Sequence, residues 1–227
     1  MFFARHLRPI ISGFVVPPEV LIILSFVVMS PSEKLTYFNL GGKGQSIRLA
    51  YVYGGIDFED ERLEFSEWPE RKAKTPIGQL PILSVDGKEY VQSNALLRYV
   101  GGRAGLYPTP GTKDQLIVED ALESIGEAFA KPPLDERRSY VEGKMTKLLT
   151  HIEALVTENS GEDAAFVLGA EISVADLSIY CFVHFFSSGF LDNITADDFK
   201  AFAVIQRIIK NVKSHPKLMA HIEAGNF

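Results

Sequence analysis

The chain has 227 residues, 46% of them apolar and 23% charged, with 18 glycines, 12 prolines and a net charge of −6. This length holds one or two domains with a large core, which excludes a metal- or disulfide-stapled miniprotein and a wholly disordered chain. The acidic balance, with no long Lys/Arg run, excludes a nucleic-acid-binding stripe; the single cysteine, Cys181, excludes an intramolecular disulfide and a Cys-based zinc site and fits a reducing compartment.

Residues 1–28 differ from the rest. Arg5, His6 and Arg8 precede an apolar stretch broken by Pro17-Pro18-Glu19, and the uninterrupted run Val20 to Met29 is ten residues. A spanning helix needs about 20, so this segment reads as a leader or an upstream extension of a chain whose working start is Met29. The alternative is membrane association or targeting through residues 1–28, with the sequon Asn193-Ile194-Thr195 facing a lumen.

From Lys34 the β-formers Leu35-Thr36-Tyr37-Phe38-Asn39-Leu40 predict a buried strand that breaks at Gly41-Gly42-Lys43-Gly44. Ile47, Ala50 and Tyr51 at helical spacing predict a helix ending at Gly54-Gly55, and a short strand follows at about Asp57 to Leu63. Leu80 to Val85 and Lys88 to Val91 flank Asp86-Gly87, a dipeptide that accepts the positive φ angles of a type I′ hairpin turn. Ser93 then caps a helix through about Tyr99, which Gly101-Gly102 ends. The order is β-α-β, a connecting segment, then β-β-α.

Beyond a Pro/Gly cluster at Leu106 to Thr112 the strand signals vanish, so the remainder is expected to be all helical. Val141, Met145, Leu148, Leu149, Ile152, Leu155 and Val156 form one apolar stripe; Phe199, Phe202, Ala203, Ile205, Ile208, Ile209 and Val212 form another. Between them, Ser173-Val174-Ala175-Asp176 opens a helix apolar on nearly every side through Phe186, the expected centre of this half. Ser173 and Asp176 have capping-box spacing, and Ile172 can staple onto Leu177.

The histidines, at positions 6, 151, 184, 215 and 221, are too scattered to form a metal site. Cys181 sits within the apolar helix and reads as an inert buried thiol. The Gly41-Gly42-Lys43-Gly44 turn lacks the fingerprint of a phosphate loop. Leu80-Pro81 before the hairpin and Gln92-Ser93 before the helix are more informative. A cis peptide at Leu80-Pro81 would turn the Leu80 backbone outward to pair with an extended peptide, and a helix N-terminus at Ser93 suits a carboxylate. Together they would hold a small anionic peptide.

At this point the stretches Lys34-Leu35-Thr36-Tyr37-Phe38-Asn39, Trp68-Pro69-Glu70, Gly78-Gln79-Leu80-Pro81-Ile82-Leu83, Gln92-Ser93-Asn94-Ala95, Gly105-Leu106-Tyr107 and Ile172-Ser173-Val174-Ala175-Asp176 carry a resemblance over Lys34 to Phe227. In order and spacing the chain resembles the cytosolic glutathione transferases, nearest their sigma class. The resemblance implies a thioredoxin-like glutathione-binding domain over residues 33–108, an all-helical domain with the electrophile pocket over 112–227, a homodimer and a cytoplasmic location. It also implies glutathione as co-substrate, with no metal required.

Carried over by position, Tyr37 matches the catalytic tyrosine that donates to the glutathione sulfur and favours its thiolate. Trp68 and Lys72 match the glycyl end, with Lys74 as a rival that spacing disfavours; Gln79 and Leu80, shaped by Pro81, match the cysteinyl backbone. Gln92 and Ser93 match the γ-glutamyl carboxylate, and Asp120 of the partner subunit the γ-glutamyl amine. The resemblance departs at Gly41-Gly42-Lys43, where sigma-like sequences carry Arg-Gly-Arg. Lys43 keeps a positive charge for thiolate support without arginine's planar fork. Phe38 and Tyr140 are candidates for the electrophile pocket. The implied activity is conjugation of glutathione to hydrophobic electrophiles. A glutathione-dependent isomerase of prostanoids or similar lipids, and a non-catalytic ligand-binding or structural protein, are the alternatives. A thioredoxin or glutaredoxin is excluded because the first strand-to-helix turn has no cysteine.

Overall fold

The computed structural model describes residues 33–129 and 132–225; the reading of residues 1–28 as a leader lies outside them. Strand β1 (Glu33–Phe38) is followed by a 3-10 turn (Gly42–Gly44), helix α1 (Gln45–Gly54) and β2 (Glu59–Leu63). The short helix α2 (Trp68–Lys72) leads to β3 (Ile82–Val85), β4 (Lys88–Val91) and α3 (Ser93–Ala104). The sheet order is β2-β1-β3-β4, with β1 parallel to β2 and antiparallel to β3, which forms a hairpin with β4. This is the thioredoxin-like half that the sequence leads one to expect. In β1, Leu35, Thr36 and Tyr37 are all buried, so no polar-apolar alternation survives in the strand. At the hairpin tip both Asp86 (φ 49°) and Gly87 (φ 77°) take positive φ, as a type I′ turn requires.

Two boundaries differ from expectation. Helix α3 runs through Gly101-Gly102 and stops at Gly105 (φ 74°), whose amide bonds the Gly101 carbonyl. Ser93 is the first residue of that helix, not its cap, because Gln92 occupies the cap position and no side chain bonds the first turn. The reason for Gly101 is tertiary: a Cβ there would lie 2.2 Å from Val174 Cγ1. The glycine is a contact point between helices, not a stop. Gly101→Ala is therefore expected to lower stability by about 1–3 kcal/mol through overpacking, against a gain of about 1 kcal/mol in helix propensity. Urea unfolding measures the loss, and Gly101→Ala combined with Val174→Ala should cost less than the two changes summed.

The second half is helical. Helix α4 (Lys113–Ala128) is capped by Thr112, whose side chain accepts from the Gln115 amide at 3.3 Å. A 3-10 turn (Leu134–Glu136) leads into α5 (Arg137–Tyr140), which continues through a π-helical stretch (Val141–Met145) into α6 (Thr146–Ser160). Helix α7 (Val174–Ser187), α8 (Ala203–Lys213) and α9 (Met219–Glu223) complete it. Ile205, Ile208 and Val212 of the second stripe are buried, while Ala203 at the first turn of α8 is exposed.

Helix α7 is buried on nearly every side, as its composition predicts, and its capping box is formed. Its residues join one continuous apolar cluster with Leu35 and Leu83 of the sheet and Val100 of α3. The two halves thus share a core, which fixes the site built on β1 and α3 against α4 and α7. Among the described residues no helix is long and apolar enough to cross a membrane.

Candidate active site

Tyr37 is the penultimate residue of β1, and the turn after it shapes its surroundings. A Cβ on Gly44 would stand 2.4 Å from the Tyr37 ring, and one on Gly42 (φ 66°) 3.0 Å from the hydroxyl. The Gly-Gly-Lys-Gly turn is therefore the seat of a buried tyrosine ring as well as a chain reversal. The Lys43 amide donates to the Tyr37 hydroxyl at 3.2 Å. Burial pushes the phenol pKa upward; the Lys43 amide, the Arg48 charge and the Gly44 amide oppose it. The hydroxyl thus keeps its proton at neutral pH and can donate it to a ligand.

Arg48 braces the candidate site and goes unnamed in the sequence reading. It lies on α1 with its guanidinium 5.8 Å from the centre of the Tyr37 ring and no exposed surface. It donates to Asp60 at 2.9 and 3.1 Å, to the Leu40 carbonyl at 2.9 Å and to the Phe38 carbonyl at 3.1 Å. A buried charge held this way stays paired and pins both ends of the turn that carries Tyr37. The available signal was an arginine one residue after Ile47 and three before Tyr51, inside an apolar helix face.

Lys43, Ile77, Gln79, Leu80, Pro81, Val91, Gln92 and Ser93 line a narrow cleft. The Leu80-Pro81 peptide is cis, as read from the sequence. Gln92 has φ 78° and ψ 100°, a left-handed-region backbone unusual for a side-chain-bearing residue. This turn aims the start of α3 into the cleft, where the amides of its first turn lack helical acceptors and present the positive end of the helix. Leu96 N bonding Gln92 O at 3.0 Å marks where helical bonding begins. Five residues expected at a peptide-binding site, Gln79, Leu80, Pro81, Gln92 and Ser93, thus share one cleft with Lys43.

Trp68 and Lys72 approach from α2. Trp68 meets Phe38 edge-on at 5.6 Å, and the Lys72 side chain lies along Gly78, 3.5 Å from where its Cβ would stand. Lys74 is instead tied to Glu70 at 2.7 Å. Asp120, on α4, sits 2.8 Å from His151 Nε2 of α6 and is not among the residues lining the cleft. Tyr140 donates its hydroxyl to the Ala128 carbonyl, which makes it a tie between α5 and the end of α4. Phe38 lies beside Tyr37, with ring centres 5.6 Å apart. The Lys43 ammonium stands 5.6 Å over the Phe129 ring, and Phe129 is a further residue that the sequence reading did not name. Burial raises the Cys181 thiol pKa far above its usual range, so this cysteine stays a neutral core group. Among the described residues no group of three His, Cys, Asp or Glu side chains is close enough to hold a metal ion.

The family profile described as the N-terminal domain of glutathione S-transferase matches residues 33–102, and that described as the C-terminal domain matches residues 119–225. Glutathione S-transferase 1 of Ascaris suum is 34% identical over 161 residues, covering 66% of this chain and 77% of that one. The hematopoietic prostaglandin D synthase of Gallus gallus is 38% identical over 115 residues, covering 50% of this chain and 57% of that one. Among solved structures, prostaglandin synthase D of Nilaparvata lugens superposes with a TM-score of 0.69 at 28% identity, covering 85% of this chain and 98% of its own.

Proposed function

The chain belongs to the glutathione S-transferase family, and from that premise we propose that Tyr37 activates the glutathione thiol for attack on hydrophobic electrophiles. The observation that carries this reading is the Tyr37 hydroxyl itself: it accepts from the Lys43 amide and keeps a proton to donate to sulfur. A hydrogen bond to the charged form favours the thiolate and lowers the thiol pKa from about 8.5 toward neutrality. The thiol proton leaves to solvent. On a chloro-nitroarene the sulfur then forms a bond to the ring carbon and chloride departs with its electron pair.

In this reading the first turn of α3 at Ser93, with Gln92, receives the γ-glutamyl carboxylate. Gln79 and the Leu80 backbone, shaped by Pro81, pair with the cysteinyl residue, and Trp68 and Lys72 hold the glycyl end. Lys43 adds positive charge near the sulfur. Residues 33–108 form the glutathione domain and residues 112–227 the helical one, in a sigma-like, cytoplasmic protein. A homodimer accords with an apolar groove of about 430 Å³ between the hairpin and α3, where Tyr90 and Tyr99 are about half exposed. A second copy seated there would bring Asp120 of the partner subunit toward the γ-glutamyl amine.

A second reading, isomerisation of a lipid endoperoxide with glutathione returned unchanged, is favoured by the similarity to proteins named prostaglandin D synthases. Glutathione affinity, turnover of 1-chloro-2,4-dinitrobenzene and product analysis with a prostaglandin endoperoxide separate the two. The expected result is glutathione binding with formation of the dinitrophenyl conjugate. Endoperoxide turnover without conjugate supports the isomerase, and no glutathione binding overturns both.

A further inference from the structure

Between the strand that carries Tyr37 and the helix that follows it, the chain runs through Gly41-Gly42-Lys43-Gly44, four residues of which three lack a side chain. Such a segment has the largest conformational entropy to lose and few side chains to hold it in place. Yet its Lys43 amide must stay 3.2 Å from the Tyr37 hydroxyl for the bond between them to persist.

The holding group is Arg48. Its Nη1 donates to the Leu40 carbonyl at 2.9 Å, immediately before the glycines, and its Nη2 to the Phe38 carbonyl at 3.1 Å, immediately after Tyr37. Its Nε is fixed from outside the turn by both Asp60 oxygens, at 2.9 and 3.1 Å, and Asp60 in turn accepts from Arg62 Nε at 2.7 Å. A guanidinium suits this place because its rigid planar fork meets three separate acceptors at once, which an ammonium on a flexible stem does not. The guanidinium carbon stands 5.8 Å from the Tyr37 ring centre with no exposed surface, so its charge acts on the phenol through protein and not through water. The charged or titratable groups that face it or its Asp60 partner are Arg62 from β2, Tyr37 from β1, Cys181 from α7 and His221 from α9.

We propose that Arg48, clamped by Asp60, is a positioning residue for thiol activation: it fixes the glycine-rich turn so that the Lys43 amide stays on the Tyr37 oxygen and the phenol O–H is aimed and strengthened as a donor to sulfur. The proposal rests on the reading of Tyr37 as the thiol-activating group and deepens it. An amide bond into the phenol oxygen polarises its O–H outward, since successive hydrogen bonds strengthen one another. Arg48 has no exposed surface and so touches no substrate; its loss loosens the first link in the chain from Lys43 amide to Tyr37 hydroxyl to sulfur. The expected signature is a higher thiol pKa in bound glutathione, with glutathione affinity retained.

The test titrates the ultraviolet absorbance of the glutathione thiolate bound to wild type, Arg48→Lys, Asp60→Asn, Tyr37→Phe and the double variant Tyr37→Phe/Arg48→Lys, with affinity followed by calorimetry. Arg48→Lys keeps the charge and loses the fork, whereas Asp60→Asn keeps Arg48 and loses the ion pair that orients it. The Asp60 side chain is 23% exposed, so this second variant reads the same device where the first folds poorly. The expected result is a midpoint about 0.5–1 pH unit higher in both single variants, equivalent to about 3–10-fold less thiolate below the midpoint. The deficit in kcat/KM should have that size at about pH 6.5 and close by about pH 9. In the Tyr37→Phe background Arg48→Lys should add no further shift, because the hydroxyl through which it acts is already gone. A merely structural arginine would lower the amplitude with the folded fraction and leave the midpoint alone. Wild-type midpoints in both single variants therefore overturn the proposal and leave Tyr37 standing as thiol activator. A shift that persists undiminished in the Tyr37→Phe background overturns it as well. Wild-type protein that does not bind glutathione, or binds it without lowering its thiol pKa, overturns the reading of Tyr37 and with it the role of Arg48.

Discussion

Replacing Tyr37 with Phe is expected to leave glutathione bound within a few-fold of its wild-type affinity and to cut kcat/KM by about 10–100-fold. The ring seated against Gly44 is kept, and only the hydroxyl is lost, so the fold and cleft stay intact. A hydrogen bond to a charged partner contributes about 1.5–3 kcal/mol, which sets the size of the loss. The pH profile gives an independent reading of the same bond. Reaction needs the thiolate, whose fraction rises with pH, and Tyr37 lowers the pH at which that happens. In Tyr37→Phe the acid limb should therefore move up toward about 8.5, so the deficit shrinks as pH rises. The wild-type rate should not fall again on the alkaline side below about pH 10, because burial holds the phenol proton above its ordinary range. Stopped-flow or steady-state rates from pH 6 to 9.5 check both limbs. A variant with wild-type kcat/KM at pH 6.5 would sink the assignment of Tyr37.

Much of the fold was legible because its signals are local. Asp86-Gly87 demands positive φ at both positions, and Ser173 with Asp176 closes a cap within one turn; neither needs the rest of the chain to be read correctly. Gly101-Gly102 was misread for the opposite reason. A glycine that ends a helix and one that lets two helices touch look alike in sequence, and only the Val174 methyl 2.2 Å from its would-be Cβ distinguishes them. The candidate cleft was readable as a set because Leu80-Pro81 and Gln92-Ser93 each have an unusual backbone role. That Gln92, not Ser93, takes the strained cap position was not. Arg48 escaped notice because its meaning depends on Asp60 across the sheet edge and on two carbonyls of the preceding turn. The candidate tyrosine was thus legible from its local context, whereas what supports it was encoded in tertiary packing.

The largest stability effect is expected from Asp176→Ala, although Asp176 touches no ligand. Its carboxylate accepts from the Val167 amide at 2.8 Å, from the Ser173 amide at 2.8 Å and from the Ser173 hydroxyl at 2.7 Å, and it has no exposed surface. Removing it leaves those donors buried without an acceptor, at about 1–3 kcal/mol each, and abolishes the cap of α7. Allowing for relaxation, the net loss should be about 3–5 kcal/mol, a large share of the 5–15 kcal/mol that holds a typical domain. Because α7 shares one apolar core with β1 and α3, which carry the candidate site, activity at 37 °C should fall with the folded fraction while glutathione affinity of the folded fraction persists. The pH dependence has a definite sign. Burial pushes the Asp176 pKa up to about 6, against roughly 3.9 in the unfolded chain, so the native state holds this proton more tightly. That contribution is full below about pH 4 and is lost as pH rises through 6. The gap between wild type and Asp176→Ala should therefore be wider at pH 5 than at pH 7.5, by about 1.4 kcal/mol. Urea unfolding at the two pH values measures it, and a gap that widens toward pH 7.5 would mean that the hydrogen bonds to the carboxylate outweigh its burial.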